Sequence, residues 1–262
     1  MRLRPLTLLA PVATGLLLLG LWQLLHTSLS PERQYLVPAP AQVAAAFAEN
    51  RAELLSGALT TASGAALGLL GAVILGYAFS IALAFSKLTR AALFPYLMAL
   101  QMMPIIVFAP ILVLVIDASL ARVAIITFLI CFFPLVVNTT QGLLSVDPQL
   151  LDFFRLSKAS RLDEFRRLRI PTAQPYFFTG LRIAATLAPI GAIVGDYTAG
   201  NAQGGTAGLG FQIVLTSSRF QMPQLYATAF IGCALGFLFV ALVVALQWLV
   251  LHRWHDSYDR AR

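Results

Sequence analysis

Residues 152–171 read DFFRLSKASRLDEFRRLRIP and carry six of the eighteen Lys and Arg residues in a chain of 262. The chain as a whole is 59% hydrophobic and only 11% charged, with a mean hydropathy of +0.81. A soluble domain is nearer 45–50% apolar and about 25% charged. So few charges cannot cover a water-facing surface, so the chain reads as an integral membrane protein. The basic stretch must then be a hydrophilic loop between spans, and the other spans can be counted outward from it.

Six apolar tracts reach the roughly 20 residues that a spanning helix requires. They run over residues 5–29, 57–85, 91–116, 121–142, 176–199 and 225–251. The first follows basic residues, as a secretory signal would. It is too long for a signal core, and LLHTSLSPER at 24–33 offers no A-x-A cleavage site, so it is expected to remain as a span. Six spans place both termini on one side. Fourteen of the Lys and Arg residues fall on the side of the termini and of 152–171; only Arg33, Arg51, Arg122 and Arg219 fall on the other. The positive-inside rule makes the richer side cytoplasmic. The net charge of +7 is thus a topology signal, and no nucleic-acid partner is expected.

Within the spans, Pro104, Pro110, Pro134 and Pro189 mark kinks that either improve packing or serve as hinges. Thr60, Gly64, Gly68, Ala72 and Gly76 recur every fourth residue. Such a ridge lets two helices approach closely in lipid, within one chain or across a dimer seam. Cys131 and Cys233 both lie in apolar tracts and are expected to be packed and inert. No phosphate-binding G-x-x-x-x-G-K-S/T, zinc-binding H-E-x-x-H or G-x-S-x-G elbow occurs. No catalytic residues, metal or cofactor are therefore expected.

Residues 147–175 read as two short helices. Asp147-Pro148 is a helix start, and Ser160 with Asp163 and Glu164 approximates a capping box. A turn at 157–159 joins them, and Pro171 and Pro175 are expected to end the pattern before the fifth span. Leu162, Phe165 and Leu168 share one face. The product is an apolar knob built on Phe154 and Phe165, which either rests on anionic headgroups or enters the groove of a cytosolic partner.

The stretch resembles the E-A-A-x-x-x-G-x(9)-I-x-L-P loop of type I ABC importer permeases. Asp152 stands at the Glu position, Phe153 and Phe154 at the two Ala, and Lys158 at the Gly, where a turn favours positive φ. Residues 159–167 fill the spacer, and Leu168, Ile170 and Pro171 end the pattern. YLVPAPAQVAAAF (35–47), FFPLVVNTTQG (132–142), GLRIA (180–184), GLGFQI (208–213) and RWHDS (253–257) are similar to the nitrate, sulfonate, taurine and thiamine-precursor branch.

The resemblance implies an all-α polytopic protein of the bacterial inner membrane. It would have six transmembrane helices in a MetI-like permease bundle, with both termini cytoplasmic. A first helix and external amphipathic segment (1–56) would precede the permease domain (57–251) and a cytoplasmic tail (252–262). It implies partners: two cytosolic ATPase subunits, an external solute-binding protein, a second permease copy and membrane lipid. Coupling to the ATPase would fall on Asp152, Phe153, Phe154, Lys158, Ala159, Arg161, Phe165, Ile170 and Pro171. Gln101, Met102, Met103 and Asn138 are the remaining polar or soft residues placed to line a path. Asp196, a carboxylate inside a span where the family usually has Glu, either joins that path or holds a helix end. Arg182 is expected to snorkel to headgroups. A secondary transporter would instead show more intramembrane charge or an inverted repeat. A structural membrane protein would show no transport.

Overall fold

The computed structural model describes residues 5–199 and 207–251. Residues 1–4 with Arg2 and Arg4, residues 200–206 of the glycine-rich segment, and the expected tail with its RWHDS segment lie outside the described residues. The described elements are helices: α1 (Pro5–Ser28), α2 (Pro31–Gln34), α3 (Pro40–Glu49), α4 (Arg51–Phe85), α5 (Lys87–Met102), α6 (Phe108–Val115), α7 (Ser119–Leu144), α8 (Pro148–Leu156), α9 (Arg161–Glu164), α10 (Ile170–Ala199), α11 (Leu209–Ser218) and α12 (Met222–Leu251). Among the described residues, five helical runs are long and apolar enough to cross a membrane, or six if α5 and α6 count as one broken span.

That broken span is the first departure from expectation. The 91–116 tract is not one helix: α5 and α6 meet at an angle of 78°, across a short 3-10 turn at Ile105–Val107. Pro104 explains the break, since it lacks a donor and holds Met103, the residue before it, extended at φ −70, ψ 131. The second departure is at the loop. Pro171 and Pro175 do not end the pattern; both lie inside α10. A π-helical turn at Phe165–Arg169 precedes Pro171, so the ladder widens where the proline removes a bond and the helix continues.

α7 forms the centre of the bundle, flanked by α4 and α10. The small-residue ridge of α4 makes this possible. Gly64 meets Val123, Gly76 meets Leu135, and a Cβ at Gly68 would lie 2.6 Å from the Ala124 carbonyl oxygen. The ridge is therefore an intramolecular seam and not a dimer contact. Its buried threonine is Thr61; Thr60 turns outward, with its hydroxyl bonded to Ser56 of its own helix. Close approach of this kind supplies dispersion contact where lipid removes the hydrophobic drive.

Cys131 is fully buried against α10, its thiol 3.3 Å from the Ala184 carbonyl. Cys233, expected to be packed, is exposed on α12. Helix α1 stands largely apart, with Leu16 and Leu17 exposed. It is tied down near its end, where Trp22 stacks on Tyr226 and Phe230.

Candidate coupling loop and solute path

The basic loop is built from two capped helices and one unusual turn. The Asp147 carboxylate accepts from the Gln149 N–H at 2.8 Å, with Pro148 at the first helical position. Helix α8 ends in a Schellman motif: Lys158 N–H donates to the Arg155 carbonyl and Ala159 N–H to the Phe154 carbonyl, both at 3.0 Å. Lys158 therefore takes φ 55, a conformation that glycine adopts freely and other L-residues do not. Ser160 caps α9, its hydroxyl accepting from the Asp163 N–H at 3.1 Å and donating to the Asp163 carboxylate at 2.5 Å. That hydrogen bond, then the cations Arg167 and Arg166, hold the Asp163 carboxyl below its usual range.

The loop's two aromatic faces do different jobs. Phe153 is 63% exposed, and the tips Leu156 and Leu162 are exposed too. Phe153 and Phe154 open with Ser157, Ala159, Asp163 and Arg167 onto a shallow groove of about 330 Å³. Phe165 does the opposite. It is only 6% exposed, packed with Leu143 and Ala173 and 5.7 Å from the Phe85 ring. Because the chain continues as a helix through 165–169, Phe165 points back into the bundle. The knob on Phe154 and Phe165 is thus corrected: Phe165 anchors the loop and Phe153 presents it. Ile170 also packs inward on this cluster, while Asp152, Lys158 and Arg161 are exposed and Pro171 lies at the start of α10.

A charged brace that sequence spacing does not reveal completes the attachment. Glu164 pairs with Arg169 at 2.7 Å, both side chains 16% exposed, and Arg169 Nη1 also donates to the Leu143 carbonyl at 3.0 Å. An α-helix does not bring residues five apart together; the π turn does, since its bonding pattern is i to i+5. The Leu143 carbonyl is among the orphan acceptors at the C-terminus of α7, where a cation is favoured.

The path residues do not form one cluster. Gln101, Met102 and Met103 lie exposed at the break between α5 and α6. Asn138 bonds back to the Pro134 carbonyl at 2.7 Å and sits where α10 approaches closely through Gly180. Asp196 belongs to neither group. It is 4% exposed and accepts from the Thr61 hydroxyl at 2.6 Å and from the Gly210 N–H; Thr61 accepts in turn from the Leu209 N–H at 2.8 Å. Asp196 is therefore the N-terminal cap of α11, supplied from another helix because Gly208 has no side chain to do it. A Cβ at Gly208 would overlap the Asp196 carboxylate, which explains the GLG segment in the sequence. Gln212 fastens the same helix to α4 through the Glu53 carbonyl at 2.8 Å. Of the alternatives for Asp196, the helix-end role is the one its contacts support. Arg182 is also tied within the protein, to Gln247 of α12 at 2.6 Å.

Residues 57–261 match the family described as binding-protein-dependent transport system inner membrane component. The chain is 32% identical to the formylaminopyrimidine transport permease protein ThiX of Halalkalibacterium halodurans, over 93% of its own length and 95% of that protein's. It is also 32% identical to the riboflavin transport system permease protein RibX of Chloroflexus aurantiacus, over 93% and 89% of the two chains. A crystal structure of an amino acid ABC transporter with histidines shares the fold, with a TM-score of 0.59 at 16% identity, covering 79% of this chain and 96% of that one. With a central helical bundle, a broken span and a braced hydrophilic loop all inside that match, the chain belongs to the binding-protein-dependent transport system inner membrane components, as a multi-pass permease of an ABC importer.

Proposed function

We propose that the braced loop receives the stroke of a cytosolic ATPase subunit, and that two copies of this permease enclose a path for a small solute delivered by an external binding protein. The carrying observation is Phe153: a large aromatic left 63% exposed on a loop that is otherwise held firmly by Phe165, Arg169 and Glu164. An apolar side chain on a rigid mount suits helix-in-groove recognition. Phe153, Phe154 and Lys158 form the docking side with Ala159 at its edge, Arg161 turns to the inner face of the loop, and Phe165, Ile170 and Pro171 carry displacement into α10. Because α10 runs unbroken from the loop to Asp196, a push on the loop moves a rigid rod, and the α5–α6 break beside Gln101, Met102 and Met103 is where the bundle can yield. Transport then follows from rigid-body alternation between two states. ATP binding must favour one state over the other, since equal affinity shifts nothing.

The loop and both termini are cytoplasmic in this reading, which rests on the charge split. Hydrolysis belongs to the partner, consistent with the missing phosphate-binding motif. The substrate class we favour is a flat nitrogen heterocycle, supported by two chain-long relatives named for formylaminopyrimidine and riboflavin transport.

The test is co-purification of the ATPase subunit in mild detergent at matched permease levels. Phe153→Asp should release it, because truncating a central docking residue costs about 2–4 kcal/mol. Undiminished recovery with Phe153→Asp would mean the loop is not the docking element. Uptake of labelled pyrimidine by cells carrying the complete transporter tests the substrate; uptake of sulfonate or nitrate instead would overturn that class.

A further inference from the structure

The inner side of the loop faces a cleft that the docking role leaves unused. It measures about 710 Å³, lies between the α4–α5 elbow and the loop, and is lined by Lys87, Arg90, Arg155, Arg161, Glu164 and Arg169 among others. Its single carboxylate, Glu164, is already taken by Arg169 at 2.7 Å. Arg155 has only Asp152 at 3.5 Å, with both side chains at least 66% exposed, a pairing of little strength. Lys87, Arg90 and Arg161 have no carboxylate partner among the described residues. Three cations without a carboxylate partner and the weakly paired Arg155 thus line one cleft, beside the N-terminus of α5, whose partial charge is also positive.

A basic cleft by itself would suit any phosphate-like anion, free or lipid-borne. Its neighbour decides between them. A second cleft, of about 770 Å³, shares Lys87, Arg90 and Leu144 with the first and runs between α5 and α7 along Ala91, Phe94, Pro95 and Val137. Three polar side chains, Thr140, Gln141 and Ser145, also border it. The two adjoin at Lys87, Arg90 and Leu144, a cationic mouth where the spans emerge lying beside an apolar slot between two membrane-crossing elements.

We propose that these adjoining clefts bind one anionic phospholipid, with its phosphodiester on Lys87, Arg90 and Arg161 and an acyl chain along Phe94, Pro95 and Val137. The lipid would link the α4–α5 elbow to the loop. The assignment does not depend on what docks on the loop's outer side, so failure of the docking reading leaves it standing.

The experiment uses the full chain, with whatever subunits co-purify, in nanodiscs of equal parts phosphatidylglycerol and phosphatidylcholine, followed by native mass spectrometry of retained lipid. Wild type should retain phosphatidylglycerol over phosphatidylcholine by about tenfold or more, given about 1 kcal/mol per basic residue at a membrane surface. Lys87→Gln with Arg90→Gln and Arg161→Gln should abolish the preference, and Arg219→Gln, outside the cleft, should not. Val137→Trp, which fills the apolar slot without touching the cations, should also reduce retention. Circular dichroism confirms that each variant is folded. Equal retention of the two lipids by wild type, or full retention by the triple variant, overturns the proposal. So does displacement of phosphatidylglycerol by excess inorganic phosphate, or phosphate binding that is unchanged in Val137→Trp; either result would make this a site for free anions.

Discussion

At the loop end of α10, a carboxylate meets a cation: Glu164 holds Arg169, which in turn reaches the Leu143 carbonyl. At the other end, Asp196 meets only neutral donors, the Thr61 hydroxyl and the Gly210 N–H, and is 4% exposed. The same long helix is thus fastened by a partly wet ion pair at one end and by a buried cap at the other. The two fastenings differ in kind. The loop-end pair is only 16% exposed, so removing one partner leaves the other charge poorly hydrated. The α11 end carries no countercharge and depends on neutral donors and close packing, which makes it the less tolerant of added volume.

Five substitutions and one pH series would break or sharpen that contrast. The largest effect should come from the rigid end. In Gly210→Leu the new Cβ would overlap the Ile193 carbonyl and sit 2.6 Å from the Tyr197 N–H, both backbone groups that cannot rotate away. Overpacking of this sort costs about 3 kcal/mol or more, so folded permease should fall sharply in the membrane and melt far earlier in detergent. Normal accumulation and melting would show that α11 is not fixed as described. The milder Asp196→Asn keeps the shape and one acceptor, and should cost about 1–2 kcal/mol.

Arg169→Ala comes next. It strands Glu164 and the Leu143 carbonyl, which should cost about 1–3 kcal/mol after allowance for partial exposure. Proteolysis within 157–164 should accelerate and transport should drop, while ATPase co-purification persists because Phe153 is untouched. Release of the ATPase by this variant would mean that brace and docking side are not separate.

Lys158→Gly should be a gain. Glycine removes the left-handed penalty at φ 55 and should stabilise the turn by about 1 kcal/mol. Chemical denaturation followed at the loop would register it. Phe220→Gly is its counterpart at the C-terminus of α11, where the same pair of backbone bonds, Phe220 N–H to Ser217 and Gln221 N–H to Thr216, forces φ 55 on an exposed phenylalanine. A gain at one turn and none at the other would show which side chain makes compensating contacts with a partner.

The smallest effect concerns pH. Asp163 has its carboxyl lowered by Ser160, so its contribution is complete above the ordinary Asp value of about 4 and is lost only as pH falls through the lower folded value. Once the intrinsic pH dependence of amide exchange is divided out, hydrogen-exchange protection in the first turn of α9 should therefore be flat from neutral to mildly acidic pH and fall only in strong acid. A loss of protection near pH 6 would place the cap under different control.

Membrane class, the approximate spans and the place of the loop were determined by the sequence itself, because they rest on sums over many residues. Fifty-nine per cent apolar content and one dense basic segment read the same in any packing. The starts of α8 and α9 were legible for a related reason: Asp147-Pro148 and Ser160 act on N–H groups within three residues of themselves. The turn at Lys158 could be anticipated from its place in the loop pattern, though nothing comparable marked Phe220. What only the tertiary structure decided involves groups distant along the chain or a change of helical period. The π turn shifts the face of everything after Phe165, burying an aromatic read as exposed and joining Glu164 to Arg169 at a spacing no α-helical pattern favours. For Asp196 the sequence leaves a solute path and a helix end both open, because a carboxylate among apolar side chains is costly unless something meets it. Its partners, Thr61 and Gly210, lie 135 positions before it and beyond a glycine-rich segment after it. Only the packing of α4, α10 and α11 brings them within hydrogen-bonding range.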